Sequence, residues 1–399
     1  MTTEEKLEIL NKVFSPTAPI EQKDLFIGRI DQISNLGMTI DERGQHAVLY
    51  GERGVGKTSL SNLMLLIYHD LLTAKVTCNR TETFRTLWSK ALKKVHFIKE
   101  EKGVGFKASQ KRSTIQLDLF LPVDKDEIDS DDILNNFDKL SNKILFVFDE
   151  FDSIVDENTK VRFADTIKAL SDNCPNITLL IVGIAENVIE LIGSHPSLER
   201  CLKQIKMQRM SNQELGQIID NGLFKLNMKI DGSVRNKIIS YSSGFPHYTH
   251  LLSKYSAYNA ILNKRQLIDN KDFNSSVKQA LENANPHLRD SLQKATVSSK
   301  GQTKFEDVLC SVALAKTDEY DCSSITDILK EYVLKIEKEA KREDISYNLT
   351  TLCSKPKGEI LEKVGISNNV KYRFKNPLIK AYIKLRLHNQ KLQNKLPLK

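Results

Sequence analysis

Gly51-Glu52-Arg53-Gly54-Val55-Gly56-Lys57-Thr58 is the stretch that decides the fold. It follows a short apolar run at residues 47–50 and precedes a helical pattern of apolar residues. This is the spacing of a phosphate-binding loop, where glycines let backbone N–H groups approach phosphate oxygens at a helix N-terminus. We therefore predict that a nucleoside triphosphate is bound by this stretch and the residue after it, namely Gly51, Glu52, Arg53, Gly54, Val55, Gly56, Lys57, Thr58 and Ser59.

Two side chains of the loop have the chemistry that a triphosphate requires. Lys57 supplies a positive charge for the β- and γ-phosphates, and Thr58 supplies a hydroxyl for the Mg²⁺ that bridges them. The alternative is a glycine-rich turn that binds nothing. The strand pattern before the loop and the helical pattern after it favour the phosphate-binding interpretation.

A second apolar run, residues 144–148, ends in Asp149 and Glu150. Apolar residues without alternation predict a strand buried on both faces of a parallel sheet, where ligands bind at the carboxyl ends of the strands. We predict that Asp149 holds Mg²⁺ through its water shell. Glu150 is predicted to orient and deprotonate the water that attacks the γ-phosphate. Such an acidic pair often marks only a turn, but the loop upstream favours the catalytic interpretation.

Length and composition predict a soluble protein of several domains. The chain has 399 residues, of which 40% are hydrophobic and 28% are charged, and chains of this length divide into two or three domains. No stretch approaches the roughly 18 apolar residues of a membrane span. The acidic start lacks the features of a secretory signal, so we expect a cytoplasmic protein. The six cysteines lack the spacing of a disulfide framework or a zinc site.

The order of the patterns predicts the domain organisation. Residues 1–23, which contain Pro16 and Pro19, are expected to be an extended lead-in. Residues 24–209 alternate strands with helices, which predicts an α/β nucleotide-binding core. A charged insertion at 99–140 interrupts this core, and we expect it to be a loop with one strand or half a hairpin. Residues 210–300 are predicted to form a helical lid and connector. Residues 301–399 show helices, two strands and a closing basic helix, the order of a winged helix.

These features together resemble the AAA+ ATPases, most of all the origin-recognition-type initiators and the signal-transducing, STAND-like ATPases. Three shorter motifs support the resemblance: Phe26-Ile27-Gly28-Arg29 is similar to an adenine-contacting box, Gly244-Phe245-Pro246 to the Gly-x-Pro signature, and residues 372–378 to the end of the initiators' winged helix. The fold class implied is α/β, with a P-loop AAA+ parallel sheet core, an all-helical lid and a C-terminal winged-helix domain.

The resemblance also implies roles for further residues. Gly28 and Arg29 are expected to contact adenine, and Pro246 to contact the nucleotide from the lid. The γ-phosphate sensor is either Glu186 or Asn187. Arg200 occupies the place of an arginine finger that acts on a neighbouring subunit, although a surface arginine is an equal alternative. The implied cofactors are ATP and Mg²⁺, and the implied assembly is a homo-oligomer formed on ATP binding. The stretch 244–248 has no counterpart of the lid arginine, so we expect slow hydrolysis.

The basic C-terminus indicates a partner. The net charge is +8, and residues 371–399 contain nine Lys and Arg but no Asp or Glu. A charge run is usually a solvated surface, but a winged helix favours duplex DNA. Because the candidate recognition helix, residues 345–353, lacks Lys and Arg, we predict backbone contacts with weak sequence preference. The predicted contacts are Lys371, Arg373, Lys375, Lys380, Lys384 and Arg386.

Two functions therefore remain open. In the first, an ATPase couples slow hydrolysis to DNA binding and assembly. In the second, a signalling switch presents different surfaces to a partner protein in its ATP and ADP states, without contacting DNA. The presence of a phosphate loop and an acidic strand end is common to both.

Overall fold

The computed structural model describes residues 1–16, 26, 28–101, 111–137, 140, 142–185, 188–192, 198–297, 304–318, 321–336, 338–365 and 369–394. The chain divides into two compact units. We call Ala18–Gln208 the sheet unit, and Met1–Thr17 together with Arg209–Lys399 the helical unit.

The helices and strands follow one another in this order. The chain begins with α1 (Thr3–Val13). The sheet unit contains α2 (Ile30–Asp41), β1 (His46–Gly51), α3 (Lys57–Ile67), β2 (Leu72–Thr77), α4 (Phe84–Lys93), β3 (His96–Glu101), β4 (Lys111–Gln116), α5 (Ser130–Leu134), β5 (Ile144–Asp149), α6 (Glu157–Asn173), β6 (Ile177–Ile184), α7 (Ile189–Ile192) and β7 (Leu202–Met207). The helical unit continues with α8 (Asn212–Lys225), β8 (Lys229–Ile230), α9 (Gly232–Ser242), α10 (Pro246–Leu262), β9 (Leu267–Ile268), α11 (Asn270–Glu282), α12 (Pro286–Thr296), α13 (Phe305–Leu314), β10 (Ser323–Ser324), α14 (Ile325–Ile336), α15 (Arg342–Leu352), β11 (Leu361–Val364), β12 (Lys371–Phe374) and α16 (Leu378–Gln393). Within the described parts of the chain, no helix combines the length and apolar character needed to cross a membrane.

The main sheet of the sheet unit has five strands in the order β2-β5-β6-β1-β7. Every neighbouring pair is parallel; for example, Leu49 of β1 lies opposite Val182 of β6 and Ile205 of β7. All residues of β5 are buried, as the run of apolar residues predicts. The parallel pairing places the ends of β1 and β5 at the same edge of the sheet.

An aromatic cluster supports β5 from one face of the sheet. Trp88 of α4 lies with its ring centroid 5.4 Å from those of both Phe146 and Phe148, and Phe148 lies 4.8 Å from Phe163 of α6. Edge-to-face pairs of this kind add about 0.5–1.5 kcal/mol each to the burial of the rings. The cluster therefore holds the strand that ends in Asp149 in a fixed position.

The described part of the insertion is folded, so the expectation of a loop at 99–140 is wrong there. β3 and β4 pair as an antiparallel hairpin, which agrees with the single strand pattern near residue 114. The segment after the hairpin contributes widely spaced apolar side chains to the same core as the aromatic cluster: Leu117, Leu121, Ile128, Ile133 and Phe137. The polar residues between them concealed this packing in the sequence.

Residues 3–13 form a helix, so the expectation of an extended lead-in at 1–23 is wrong there, while residues 17–23 lie outside the described residues. Thr2 Oγ1 accepts a hydrogen bond from the N–H of Glu5, and the Glu5 carboxylate accepts one from the N–H of Thr2, so α1 begins with a capping box. Phe14 is fully buried, and α1 packs on α8 and α10. The prolines at 16 and 19 follow the helix and do not prevent it.

The C-terminal part of the helical unit has the elements that the sequence indicates. α13, α14 and α15 surround a core that includes Ile345, Leu349 and Leu352. β10, β12 and β11 form a three-stranded antiparallel sheet. Its interpretation as a winged helix, and a boundary near residue 300, stay predictions.

Gly222→Ala should destabilise the helical unit by about 1–3 kcal/mol. A Cβ at position 222 would lie 2.3 Å from Cζ of the buried Phe14 ring, so the ring and α1 would have to move. Urea unfolding followed by circular dichroism measures the change.

Gly232→Ala is the matched control, because no described atom lies within 4 Å of the corresponding Cβ position. It should change the free energy of unfolding by less than about 0.5 kcal/mol. Equal stability of the two variants would contradict the packing of α1 on α8.

Candidate nucleotide-binding site

The loop between β1 and α3 has the backbone of a phosphate-binding turn. Gly51 has a φ of 144°, and a Cβ at this position would lie 2.3 Å from the carbonyl oxygen of Met207 in β7. Gly56 has a φ of 98°, and no described atom lies within 4 Å of its Cβ position. The loop therefore packs closely against the neighbouring strand at its first glycine and borders open space at its last.

The N-terminus of α3 meets that open space. Gly56 is the N-cap residue, and among the described residues no side chain caps the helix. The N–H groups of the first turn and the positive end of the helix dipole therefore remain available to an anion. The loop fits the phosphate groups of a nucleotide.

Lys57 lies folded over this loop. Its Nζ donates hydrogen bonds to the carbonyl oxygens of Gly51, at 2.9 Å, and Glu52, at 2.7 Å. Burial lowers the pKa of Lys57 to about 8, against the opposing attraction of the Asp152 and Asp149 carboxylates. A phosphate would offer this ammonium group a charged acceptor in place of two neutral carbonyls.

Thr58 and Asp149, the two predicted metal ligands, lie together. Thr58 Oγ1 donates a hydrogen bond of 3.3 Å to Asp149 Oδ1. Asp149 is the last residue of β5 and is buried. A hydroxyl and a carboxylate beside a phosphate-binding loop are the oxygen ligands that Mg²⁺ prefers, so the residues present fit this ion.

Lys75 of β2 belongs to the same site, although sequence reasoning missed it. Its Nζ lies 2.8 Å from Asp149 Oδ2 and 2.6 Å from Asn62 Oδ1 of α3. The one signal in the sequence is a lysine within the short strand Leu72–Thr77. Only the pairing of β2 with β5 shows that this lysine meets the acidic strand end.

Glu150 and Asp152 follow β5 in a tight turn. Glu150 is exposed and has a φ of 57°, an uncommon conformation for a residue other than glycine. Asp152 Oδ1 accepts a hydrogen bond of 2.8 Å from the N–H of Ile184 at the end of β6. Asp152, which the sequence analysis did not single out, therefore ties the turn that carries Glu150 to the neighbouring strand.

Arg29, which lies before the phosphate-binding loop in the chain, stabilises the loop by hydrogen bonding. It follows Gly28, is buried, and donates from Nη2 to the carbonyl oxygens of Val55, at 3.1 Å, and Gln208, at 2.5 Å. It thus connects the phosphate-binding loop to the last residue of the sheet unit. A contact of Gly28 or Arg29 with adenine stays a prediction.

The remaining site predictions lie elsewhere. Glu186 and Asn187 fall outside the described residues. Arg200 is 66% exposed and pairs with Asp172 of α6, so its role as a finger stays a prediction. Pro246 is the first residue of α10 in the helical unit, and its contact with nucleotide also stays a prediction.

The six predicted DNA contacts all have partners within the helical unit. Four lie in ion pairs near the surface: Lys371 with Asp318, Arg373 with Glu362, Lys375 with Glu359, and Arg386 with Glu306. Lys380 is buried and lies 2.5 Å from Asp321. Lys384 donates to Ser243 Oγ, and burial lowers its pKa to about 8. The basic surface therefore has fewer exposed charges than the sequence indicated.

Comparisons with known proteins agree with this geometry. The sequence profile of a family described as "Novel STAND NTPase 1" matches residues 19–310. No curated protein has a significantly similar sequence.

Solved structures show the fold. The chain is similar to the Walker-type ATPase PABY2304 of Pyrococcus abyssi, with a TM-score of 0.54 and 15% identity over 93% of this chain and 99% of that chain. It is also similar to Cdc6p from Pyrobaculum aerophilum (TM-score 0.46, 16% identity, 96% and 98% covered) and to ORC1 from Aeropyrum pernix in complex with DNA (TM-score 0.46, 14% identity, 98% of both chains). The sheet unit has the α/β fold of a P-loop NTPase.

Lys57→Ala should abolish nucleotide binding, because it removes the ammonium group held over the loop. Calorimetric titration with ATP and MgCl₂ measures the affinity. Lys93→Ala, at an exposed position in the last turn of α4, is the control and should bind like the wild type. Unchanged affinity in the Lys57 variant would show that the loop is not the site.

Proposed function

This chain belongs to the Novel STAND NTPase 1 family, and on that premise we propose that it binds ATP with Mg²⁺, hydrolyses it slowly and changes conformation with the state of the nucleotide. The observation that carries the proposal is the approach of Thr58 to Asp149, with their oxygens 3.3 Å apart. It unites a phosphate-binding loop and an acidic strand end in one site.

Each residue of the site has a distinct task. Lys57 and the N–H groups of α3 bind the phosphates, while Thr58 and Asp149 hold Mg²⁺. The ion, when bound, neutralises charge on the β- and γ-phosphates. Glu150, exposed directly after β5, orients a water molecule and accepts its proton.

We propose that a neighbouring copy of the chain contributes one further residue to the nucleotide site. We place Arg200 as the finger that reaches the nucleotide of a neighbouring copy in a homo-oligomer formed on ATP binding, since its side chain is exposed. The absence of an arginine from residues 244–248 supports slow turnover of ATP. A slow ATPase suits a switch because each nucleotide state persists.

Two groups of contacts support transmission of the nucleotide state. Arg29 joins the loop to Gln208, and the next residue, Arg209, begins the helical unit. There Arg209 lies 2.9 Å from Asp321 and stacks over the Phe245 ring at 4.6 Å. Asp321 also binds Lys380 of α16. The loop thus reaches Gln208 through Arg29, the Gly-x-Pro motif contacts Arg209 through Phe245, and the C-terminal helix reaches Arg209 through Asp321.

We propose that the output of the switch is a protein surface of the helical unit. The charged side chains predicted to contact DNA are paired with acidic residues or buried, which leaves little free positive charge for phosphates. The elements from α13 to α16 are interpreted as a winged helix that serves as this output domain.

Duplex DNA remains the second candidate partner. It is favoured by the positive excess of residues 371–399 and by the 57% exposure of the Lys375 side chain. Contacts of this kind would be to the backbone, with weak sequence preference.

Glu150→Gln should retain ATP binding and lower the turnover rate by about 10²–10⁴-fold, because the amide cannot accept a proton from water. Single-turnover hydrolysis of radiolabelled ATP measures the rate. In the trapped ATP state, hydrogen exchange of α16 should differ from exchange with ADP bound.

Glu157→Gln changes an exposed glutamate at the start of α6 and should hydrolyse ATP like the wild type. Full turnover by the Glu150 variant would remove its assigned role. Identical exchange of α16 with ATP and ADP would contradict the proposed switch.

Addition of duplex DNA should leave the ATPase rate unchanged. A mobility-shift titration at several salt concentrations, run in parallel, measures binding directly. The DNA candidate would be supported instead by faster turnover together with an affinity whose logarithm falls by about 0.9 per phosphate contact for each unit of log salt. Lys375→Ala should then weaken the complex.

A further inference from the structure

We propose that Lys75 is a positioning residue that compensates the charge of Asp149, so that the site holds nucleotide even when Mg²⁺ is absent. The proposal rests on the nucleotide site proposed above. It concerns a residue outside the phosphate-binding loop and outside the acidic strand end.

The two oxygens of Asp149 have different partners. Oδ1 accepts hydrogen bonds from Thr58 Oγ1, at 3.3 Å, and from the N–H of Glu150, at 3.0 Å. Oδ2 lies 2.8 Å from Nζ of Lys75. One oxygen is thus directed to the metal-binding side of the site, and the other pairs with a lysine whose side chain is 21% exposed.

Lys75 is held in this position from two elements. Its Nζ donates to Asn62 Oδ1 at 2.6 Å and to Ser61 Oγ at 3.5 Å, both on α3. Together with Asp149 these contacts occupy the three donors of an ammonium group. The pairing of Thr77 with Asp149 in the sheet brings β2 alongside the end of β5. The ammonium group is therefore fixed beside the carboxylate before any ligand binds.

The electrostatic consequence concerns nucleotide binding without metal. A buried carboxylate next to the loop would repel the phosphates, and burial strengthens this repulsion. Lys75 and Mg²⁺ each compensate the same carboxylate. Because Lys75 is already present, Mg²⁺ adds less to the affinity for nucleotide than it would at an unpaired Asp149.

The test compares ADP affinity in excess EDTA with ADP affinity in excess MgCl₂, both measured by calorimetry. The ratio of the two dissociation constants, without Mg²⁺ over with Mg²⁺, reports the coupling between ion and nucleotide. Lys75→Met should raise this ratio about tenfold over the wild type, because binding weakens mainly without Mg²⁺. A general loss of structure would weaken both affinities and leave the ratio unchanged.

Two single variants serve as controls. Lys75→Arg keeps the positive charge and should keep the ratio of the wild type. Lys90→Met removes another lysine of the sheet unit, which pairs with Glu82, and should also leave the ratio unchanged. A changed ratio in Lys75→Arg would contradict a role that depends on charge.

A double variant keeps the test valid if Lys75→Met alone does not fold. Lys75→Met combined with Asp149→Asn leaves neither charge buried, and it should show the same ratio as Asp149→Asn alone. A difference between these two proteins, or an unchanged or lowered ratio in folded Lys75→Met, would overturn the proposal. Failure of the wild type to bind ADP under either condition would instead overturn the proposed nucleotide site.

Discussion

The parallel pairing of β1, β6 and β5 is the constraint on which the candidate site depends. Parallel strands end at one edge of their sheet, so the loop after β1 and the turn after β5 face the same space. The hydrogen bond from Thr58 to Asp149 is a direct result. The aromatic cluster around Phe148 holds β5 in place from one face of the sheet. A shift of β5 by one residue would turn Asp149 towards that apolar cluster.

Two clusters of charged residues that are buried or partly buried lie where the protein is proposed to work. In the sheet unit, Lys57, Asp149 and Lys75 are taken out of solvent or nearly so, each with oxygen or nitrogen partners. In the helical unit, Asp321 lies between Arg209 and Lys380. Burying charges is costly unless they are paired, and such pairs serve better to specify one arrangement than to add stability. Both clusters are therefore suited to keep the surrounding helices and strands in one defined geometry in each nucleotide state of the proposed switch.

The chain passes between its two units at two points, after residue 17 and after residue 208. The first passage follows α1, whose Phe14 is buried against Gly222, and leads to the Gly28-Arg29 pair. The second joins Gln208, which accepts a hydrogen bond from Arg29, to Arg209. Arg29 thus connects the loop to both chain crossings between the units. Its backbone continues from the first crossing, and its guanidinium group donates a hydrogen bond to Gln208 at the second. This arrangement gives a proposed conformational switch two routes from the loop to the helical unit, and each route combines a hydrogen bond of Arg29 with the continuous backbone.

The sequence by itself determined the phosphate-binding loop, the buried strand ending in Asp149, the parallel sheet and the order of most helices. These features depend on local spacing and on periodicity, because glycine positions, apolar runs and capping residues act within a few residues of one another. Only the tertiary structure decided that Lys75 binds Asp149, that Arg29 braces Val55, and that Lys380 is buried beside Asp321. The same holds for α1, which was expected to be extended chain, and for β3, because only one strand or half a hairpin was expected in the insertion. Each of these depends on partners distant in the chain, and the position of a charge in the sequence does not reveal which opposite charge will meet it after folding.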